Sequence, residues 1–392
     1  MKNRRSLLII IPDRLSEILR KGEVVECYYN PNNFFNEIHI MMINDDQPPI
    51  DKVKKMVGNA KLSLHNYPVP CGLFKKTLGW QPFLLKKWLN NAINKFSYLS
   101  YDMIRVYGAY LNLPLALALK RGKPVVASLH THPIKDVHLE KLSFKESLIK
   151  HCDLKLWKLL AHVDKILPAY RGIIDYLDKL HISQDKYEVL YNKVCMDYSK
   201  NMKSSFVIGE QLRILCVGQQ IANKNPEHII RSLRQIDNVR LDIVGMGPLN
   251  QYLKNLVREL GLLDKVNFID SLSNEVLCGQ MCSYDFFVGC IDCIGISKVI
   301  IECFLLKLPV IININSKSAV PELVDGLCLK VPNTELGYFE GINKLRSDIN
   351  LREKFGETAY KHAIQIWEPS KIEKKHAFIY YDILNNFNKT EV

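Results

Sequence analysis

The stretch Gly295-Ile296-Ser297-Lys298-Val299-Ile300-Ile301-Glu302 sets a carboxylate inside one of the most apolar parts of the chain, which runs on as CFLLKLPVIININ. A buried charge without a partner costs several kcal/mol, so Glu302 needs one, either in the protein or on a ligand. Gly295 removes a side chain where backbone must come close, and Ser297 is a natural N-cap. The amides of Ser297 to Ile300 could then receive a phosphate at the start of a helix, with Glu302 about one turn inside it. The same residues also fit a plain i, i+4 ion pair, Lys298 with Glu302, on a structural helix.

Other groups of reactive residue types carry less. Cys278, Cys282, Cys290 and Cys293 could be written as a four-thiolate zinc set, but the segment SYDFFVG between them reads as a buried strand and not as a metal-knuckle loop. Asn44-Asp45-Asp46 lacks the Asp-x-Asp spacing of metal-dependent transferases and reads as a turn after the strand EIHIMMI. Gly245 and Gly247, in VGMGP, allow a tight backbone turn.

These residues need elements to hold them, and the C-terminal half supplies a strict alternation. LRILCV ends at Gly218, Asn225-Pro226 opens the periodic EHIIRSLRQI, and RLDIVG leads to PLNQYLKNLVRELG with Gly261 as a helix stop. KVNFI, a helix near NEVLCGQMC, the strand DFFVG, a helix from Lys298 to Lys307 and the strand PVIIN follow. Strands alternating with helices predict a parallel sheet covered on both faces, which binds ligands beyond the carboxyl ends of its strands.

The chain of 392 residues exceeds what one core usually serves, so two domains are expected. The apolar run after the basic start is only Leu7 to Ile11, too short for a secretory signal, and no stretch reaches the roughly 20 apolar residues of a membrane span. Eleven cysteines without scaffold spacing predict free thiols in a reducing cytoplasm. Residues 1–200 hold 31 Lys and Arg against 19 Asp and Glu, while residues 201–392 hold 22 of each. The excess of +12 therefore lies in the N-terminal half, which is expected to face something anionic. From Leu73 to Ser100, Lys75, Lys76, Lys86, Lys87 and Lys95 interleave with Phe74, Trp80, Phe83, Trp88 and Phe96. That mixture suits an anionic membrane surface, or else an amphipathic helix with a solvated lysine face. No nucleic-acid motif accompanies the charge, so nucleic acid is not an expected partner.

RILCVGQQIANKNPEHIIRSL, LDIVGMGPLNQYL, GISKVIIECFLLKLPVI, PELVDGL and INLREKFGETA together resemble the retaining, nucleotide-sugar-dependent glycosyltransferases of family 4. In the N-terminal half, YDMIRVYGAYLNLPLALALKRGKPVVASLHTH and YEVLYNKV resemble the same family more weakly. The resemblance implies an α/β GT-B fold, two Rossmann-like domains facing each other across a cleft. Residues 1–198 would form the acceptor-side domain and 199–365 the nucleotide-sugar domain, with 366–392 a helix packing back on the first and the chain crossing near Met196 to Ser205.

Carried over, the family's roles make Lys224 the group that neutralises the leaving diphosphate and His130 the histidine lining the sugar site. Gly218, Gln219, Gly245, Gly247, Gly295, Ile296, Ser297 and Lys298 would bind the donor, and Glu302 would accept ribose hydroxyls. The arrangement calls for no metal and no cofactor beyond the donor sugar nucleotide. Three departures stand out. Ile294 replaces the family's acid eight positions before Glu302, Gln219 replaces an Arg, and PDRLSEILRKGE replaces a glycine-rich loop. The implied activity is sugar transfer to a lipid-linked or polysaccharide envelope precursor, with the protein in the cytoplasm and peripheral at an anionic membrane face. The alternative is a weak or inactive scaffold that keeps the nucleotide pocket.

Overall fold

The computed structural model describes residues 5–20, 22, 24–75, 79–135, 144–194, 201–314 and 319–390. The chain divides into two compact units, residues 1–193 with 370–392, and residues 194–369.

Unit 1 carries strands β1 (Ser6–Ile11), β2 (Glu37–Met42), β3 (Lys61–Asn66), the short antiparallel pair β4 (Phe74–Lys75) and β5 (Gly79–Trp80), then β6 (Met103–Tyr107), β7 (Val125–Leu129) and β8 (Lys165–Pro168). All but that pair form one parallel sheet in the order β3-β2-β1-β6-β7-β8. Its helices are α1 (Leu15–Arg20), α2 (Ile50–Lys54), α3 (Pro82–Lys95), α4 (Asn112–Ala118), α5 (Phe144–Trp157) and α6 (Ile174–Lys179). Leu7 to Ile11 are buried without alternation, as a central strand covered on both faces requires. The glycine-poor loop after β1 is held instead by the turn after β2. Asn44 donates to the Pro12 carbonyl (3.0 Å), and Asp46 accepts the Ser16 amide (2.9 Å) at the start of α1.

On α3 the interleaved aromatics part company. Trp88 is buried, stacked on Tyr67 with ring centroids 5.2 Å apart, and Phe96 is buried edge-on to the same Tyr67 ring at 5.4 Å. Phe83 is 77% exposed, next to exposed Lys86 and Lys87. Lys76 lies outside the described residues, and of Phe74, Lys75 and Trp80 only the backbone is described.

Unit 2 repeats the plan with β9 (Leu212–Val217), β10 (Val239–Val244), β11 (Val266–Ile269), β12 (Phe286–Gly289), β13 (Val310–Asn313) and β14 (Leu329–Val331), all parallel in the order β11-β10-β9-β12-β13-β14. Its helices are α7 (Glu227–Ser232), α8 (Asn250–Glu259), α9 (Asn274–Met281), α10 (Lys298–Leu305), α11 (Glu335–Ser347) and α12 (Ile349–Ile366). The predicted strands and helices of this half form where their periodicity placed them, and Gly261 ends α8 at φ +66°. Helix α7 is shorter than the periodicity of EHIIRSLRQI, because a 3-10 turn takes over at Leu233. The last helix, α13 (Pro369–Thr390), belongs from Ser370 on to unit 1, where Ile372, Ile379 and Tyr380 join the core around β1 and β2. No helix among the described residues is long and apolar enough to cross a membrane.

Candidate functional site

In both sheets the strand order reverses beside the first strand, between β1 and β6 and between β9 and β12. Such a reversal opens a crevice beyond the carboxyl ends. In unit 2 the walls of that crevice come from the loop after β9, the loop after β10 and the approach to α10.

Two glycines let the first two loops touch. A Cβ on Gly245, which sits at φ +128°, would fall 2.2 Å from the Gly218 carbonyl oxygen, and one on Gly247 would fall 2.4 Å from that of Gln220. Any side chain at either place would push the loops apart. The contact is then stapled by Gln220, which is 1% exposed. Its Nε2 donates to the Gly245 carbonyl (2.6 Å), and its Oε1 accepts from Asn250 Nδ2 (2.9 Å). Gln219, the residue singled out by the resemblance, is exposed, and Gln220 is the one that builds the site. In GQQ no signal tells the two apart, since the inward position depends on where the strand ends.

Lys224 closes a 3-10 turn (Ala222–Lys224), and its side chain runs across Gly218, with Cδ 3.7 Å from where a Cβ would stand. Its ammonium makes no ion pair or hydrogen bond among the described residues. The loop before α10 is tied to this turn, because the Asp292 amide donates to the Asn223 carbonyl (3.0 Å). The Asp292 carboxylate accepts from buried Asn313 (2.8 Å), whose Oδ1 takes the Ile291 amide (2.6 Å). Ile294, at the position of the family's acid, is 1% exposed.

At α10 the structure corrects two details. Ser297 has the extended N-cap backbone, but its hydroxyl makes no capping bond. The Ile300 amide is already taken by the Ser297 carbonyl (3.1 Å), so the amides left open to an anion are those of Ser297, Lys298 and Val299. Lys298 and Glu302 form no ion pair within 4 Å. Glu302 turns inward, 4% exposed, and its Oε1 accepts from Asn274 Nδ2 (2.7 Å) on α9. Burial pushes its carboxyl up to about 7, against smaller opposing effects of Asn274 and Lys298. Asn274 Oδ1 is itself buried and has no hydrogen-bond partner among the described residues.

Gly218, Lys224 and Ser297 thus line one recess with Gln220 and Cys290, while Gly245 and Gly247 support it from behind. Glu302 lies one turn deeper and does not line it. The recess suits an anion. A helix amino end offers about 0.3–1 kcal/mol to a negative group, whereas an ammonium at 4 Å is worth about 4 kcal/mol near a protein surface, so Lys224 dominates.

His130 stands in unit 1 at the end of β7, its ring parallel to that of Tyr107 at 5.5 Å. Its neighbour in HTH, His132, is 1% exposed and locked. Nδ1 accepts the amides of Ile134 (3.0 Å) and Lys135 (2.8 Å), so Nε2 carries the proton toward Asp175 (3.0 Å), which also pairs with Lys135. His132 therefore shapes the turn after His130.

Residues 197–362 match the family described as glycosyl transferases group 1. An N-acetylgalactosamine-N,N'-diacetylbacillosaminyl-diphospho-undecaprenol 4-alpha-N-acetylgalactosaminyltransferase of Campylobacter jejuni is 28% identical over 211 residues, which cover 52% of this chain and 57% of that protein. The chain spans about half the length of the curated relatives it matches. Among solved structures, sucrose-phosphate synthase from Thermosynechococcus elongatus superposes with a TM-score of 0.72 at 13% identity, covering 98% of this chain and 100% of that one. The HepE protein of Anabaena in complex with UDP gives 0.68 at 14% identity, covering 96% and 100%. These likenesses agree with the expected α/β fold of two Rossmann-like units.

Proposed function

Because residues 197–362 match the family described as glycosyl transferases group 1, we propose that the chain moves a sugar, with retention, from a nucleoside diphosphate sugar in unit 2 to a hydroxyl of a lipid-linked or polysaccharide acceptor. The observation that carries the reading is the meeting of Lys224, unpaired among the described residues, with the open amides at the start of α10 over the Gly218 backbone. In this reading the diphosphate lies against Lys224 and those amides, and Glu302 receives ribose hydroxyls from below. As the glycosidic bond breaks, charge grows on the departing diphosphate, so electrostatic stabilisation there lowers the barrier. The acceptor hydroxyl then bonds to the anomeric carbon on the face the leaving group vacates, and its proton passes to an oxygen of the departing diphosphate.

The name of the Campylobacter relative supports an acceptor carried on a lipid diphosphate, and the UDP of the Anabaena neighbour makes a uridine donor the first to try. Exposed Phe83, Lys86 and Lys87 on α3 favour an anionic membrane face as the place of work. Thermal unfolding with UDP, GDP, ADP and their sugars tests the pocket. A nucleotide at a hundred times its dissociation constant adds about 2.7 kcal/mol to the folded state. Silence from the whole panel would remove the reading.

A further inference from the structure

Unit 1 contains a buried positive charge that nothing in the proposed donor site uses. Arg105, in the middle of β6, is 4% exposed. Its Nε donates to Ser128 Oγ (2.9 Å), and its Nη1 donates to His376 Nε2 (2.8 Å) and to Tyr380 Oη (2.7 Å). The guanidinium also lies 4.5 Å from the centre of the Tyr107 ring. Every one of these partners is neutral. His376 accepts through Nε2, and burial beside Arg105 pushes it well below the usual histidine range, so it adds no charge of its own.

No carboxylate lies within ion-pair distance of Arg105 among the described residues. The acid on the same recess, Glu373, is spent elsewhere. It pairs with Lys193 at 2.6 Å and accepts the Asn32 amide at 2.9 Å. A buried guanidinium is expensive without a counter-charge, and stacking on an aromatic ring offsets only about 2 kcal/mol of that. Arg105 Nη2 makes no hydrogen bond among the described residues. Arg105, Ser128 and His130 line a small recess open to solvent, together with Asn192 and Lys193.

We infer that this recess is an oxyanion site, with a phosphate or carboxylate group held by Arg105 Nη2. A guanidinium is always charged and offers planar paired donors, which matches an oxyanion better than a neutral hydroxyl. The site stands in unit 1 and does not depend on unit 2 taking a nucleotide sugar. Its position beside His130 makes the anionic part of an acceptor its natural occupant, an assignment that rests on the proposed transfer reaction, whereas the oxyanion site itself does not.

The test is thermal unfolding of the whole chain with inorganic phosphate, glycerol 3-phosphate or acetate against sodium chloride at matched ionic strength. Phosphate could also rest on Lys224, so parent, Lys224→Ala and Arg105→Gln are compared. At twenty times its dissociation constant an anion should raise the midpoint by about 4 °C in the parent and in Lys224→Ala, and not in Arg105→Gln. Without anion, Arg105→Gln should be at least as stable as the parent, since it loses an uncompensated charge. If that variant does not fold, Arg105→Lys, which keeps the charge, should retain a weaker response. Calorimetry on Lys224→Ala should then give one phosphate per chain. A response from glycerol 3-phosphate alone identifies a bound group on a larger molecule, and one from acetate alone identifies a carboxylate. No response to any anion, or a response lost in Lys224→Ala and kept in Arg105→Gln, overturns the inference.

Discussion

Replacing Glu302 by Gln separates a residue kept for structure from one kept for a ligand. The carboxyl stands at about 7 in the folded protein against an ordinary 4.5, and burial is the main cause. Between those values the folded state holds a proton that the unfolded chain gives up, so stability falls as pH rises through this window and levels off above it. At pH 8 the ionised group costs the fold about 3 kcal/mol. Gln removes that cost, and its amide can donate to Asn274 Oδ1, which has no partner among the described residues of the parent. At pH 5 the parent is itself protonated there and the advantage should close. For a unit of this size about 3 kcal/mol corresponds to a gain of roughly 6–12 °C at pH 8.

The assay is thermal unfolding of parent and Glu302→Gln at pH 5, 6.5 and 8, first alone and then with the nucleotide found by the panel. Two ribose hydroxyls donating to Glu302 would favour its ionised form, so nucleotide affinity in the parent should rise from pH 6 to 8. In Glu302→Gln it should be weaker and flat. A variant that is more stable at pH 8 yet binds less would mark Glu302 as a costly residue retained for its ligand. A variant less stable than the parent at pH 8, or one with the same difference at pH 5, would refute the reasoning.

Other expectations follow from the same geometry. Lys224→Ala should lower turnover by roughly a hundredfold with a smaller effect on nucleotide binding, read by sugar transfer or slow donor hydrolysis. Activity equal to the parent would move the charge stabilisation elsewhere, and no turnover in the parent would favour a scaffold. Gly245→Ala must place a Cβ against the Gly218 carbonyl at φ +128°, so unit 2 should lose about 2–4 kcal/mol, seen as an earlier thermal transition. Phe83→Ser with Lys86→Gln and Lys87→Gln should reduce co-sedimentation with anionic vesicles, by about 1 kcal/mol per lysine, and salt should weaken the parent's binding in the same way. Equal binding by parent and variant would leave α3 an ordinary solvated helix.

Much of unit 2 was legible because its strands are continuous apolar runs and its helices are periodic, and each transition carries its own cap or glycine. The Gly-x-Gly turn was visible as a turn. What it turns against was not, since the 2.2 Å and 2.4 Å approaches to Gly218 and Gln220 depend on two strands meeting far apart in sequence. Trp88 shows the same limit on α3. Its place among lysines suggested a membrane-facing ring, but Tyr67, on a segment before the helix, covers it. Ser297 stands as a cap by residue type, yet its hydroxyl is not used, because the Ile300 amide already closes a tight turn onto the Ser297 carbonyl.

Glu302 and Arg105 pose one physical question in two units, and only one of them was conspicuous. Glu302 interrupts a helix that is apolar all round, and such a helix is buried whichever way it turns. Arg105 interrupts MIRVY in a similar way, but a strand alternates its faces, so a lone arginine there can as well point to water from an edge. It becomes informative only once β6 is known to lie between β1 and β7, with α13 over the face that Arg105 shares with Met103 and Tyr107. A charge within a strand therefore signals a ligand only where topology shows the strand to be central, and that depends on the pairing of residues a hundred positions apart.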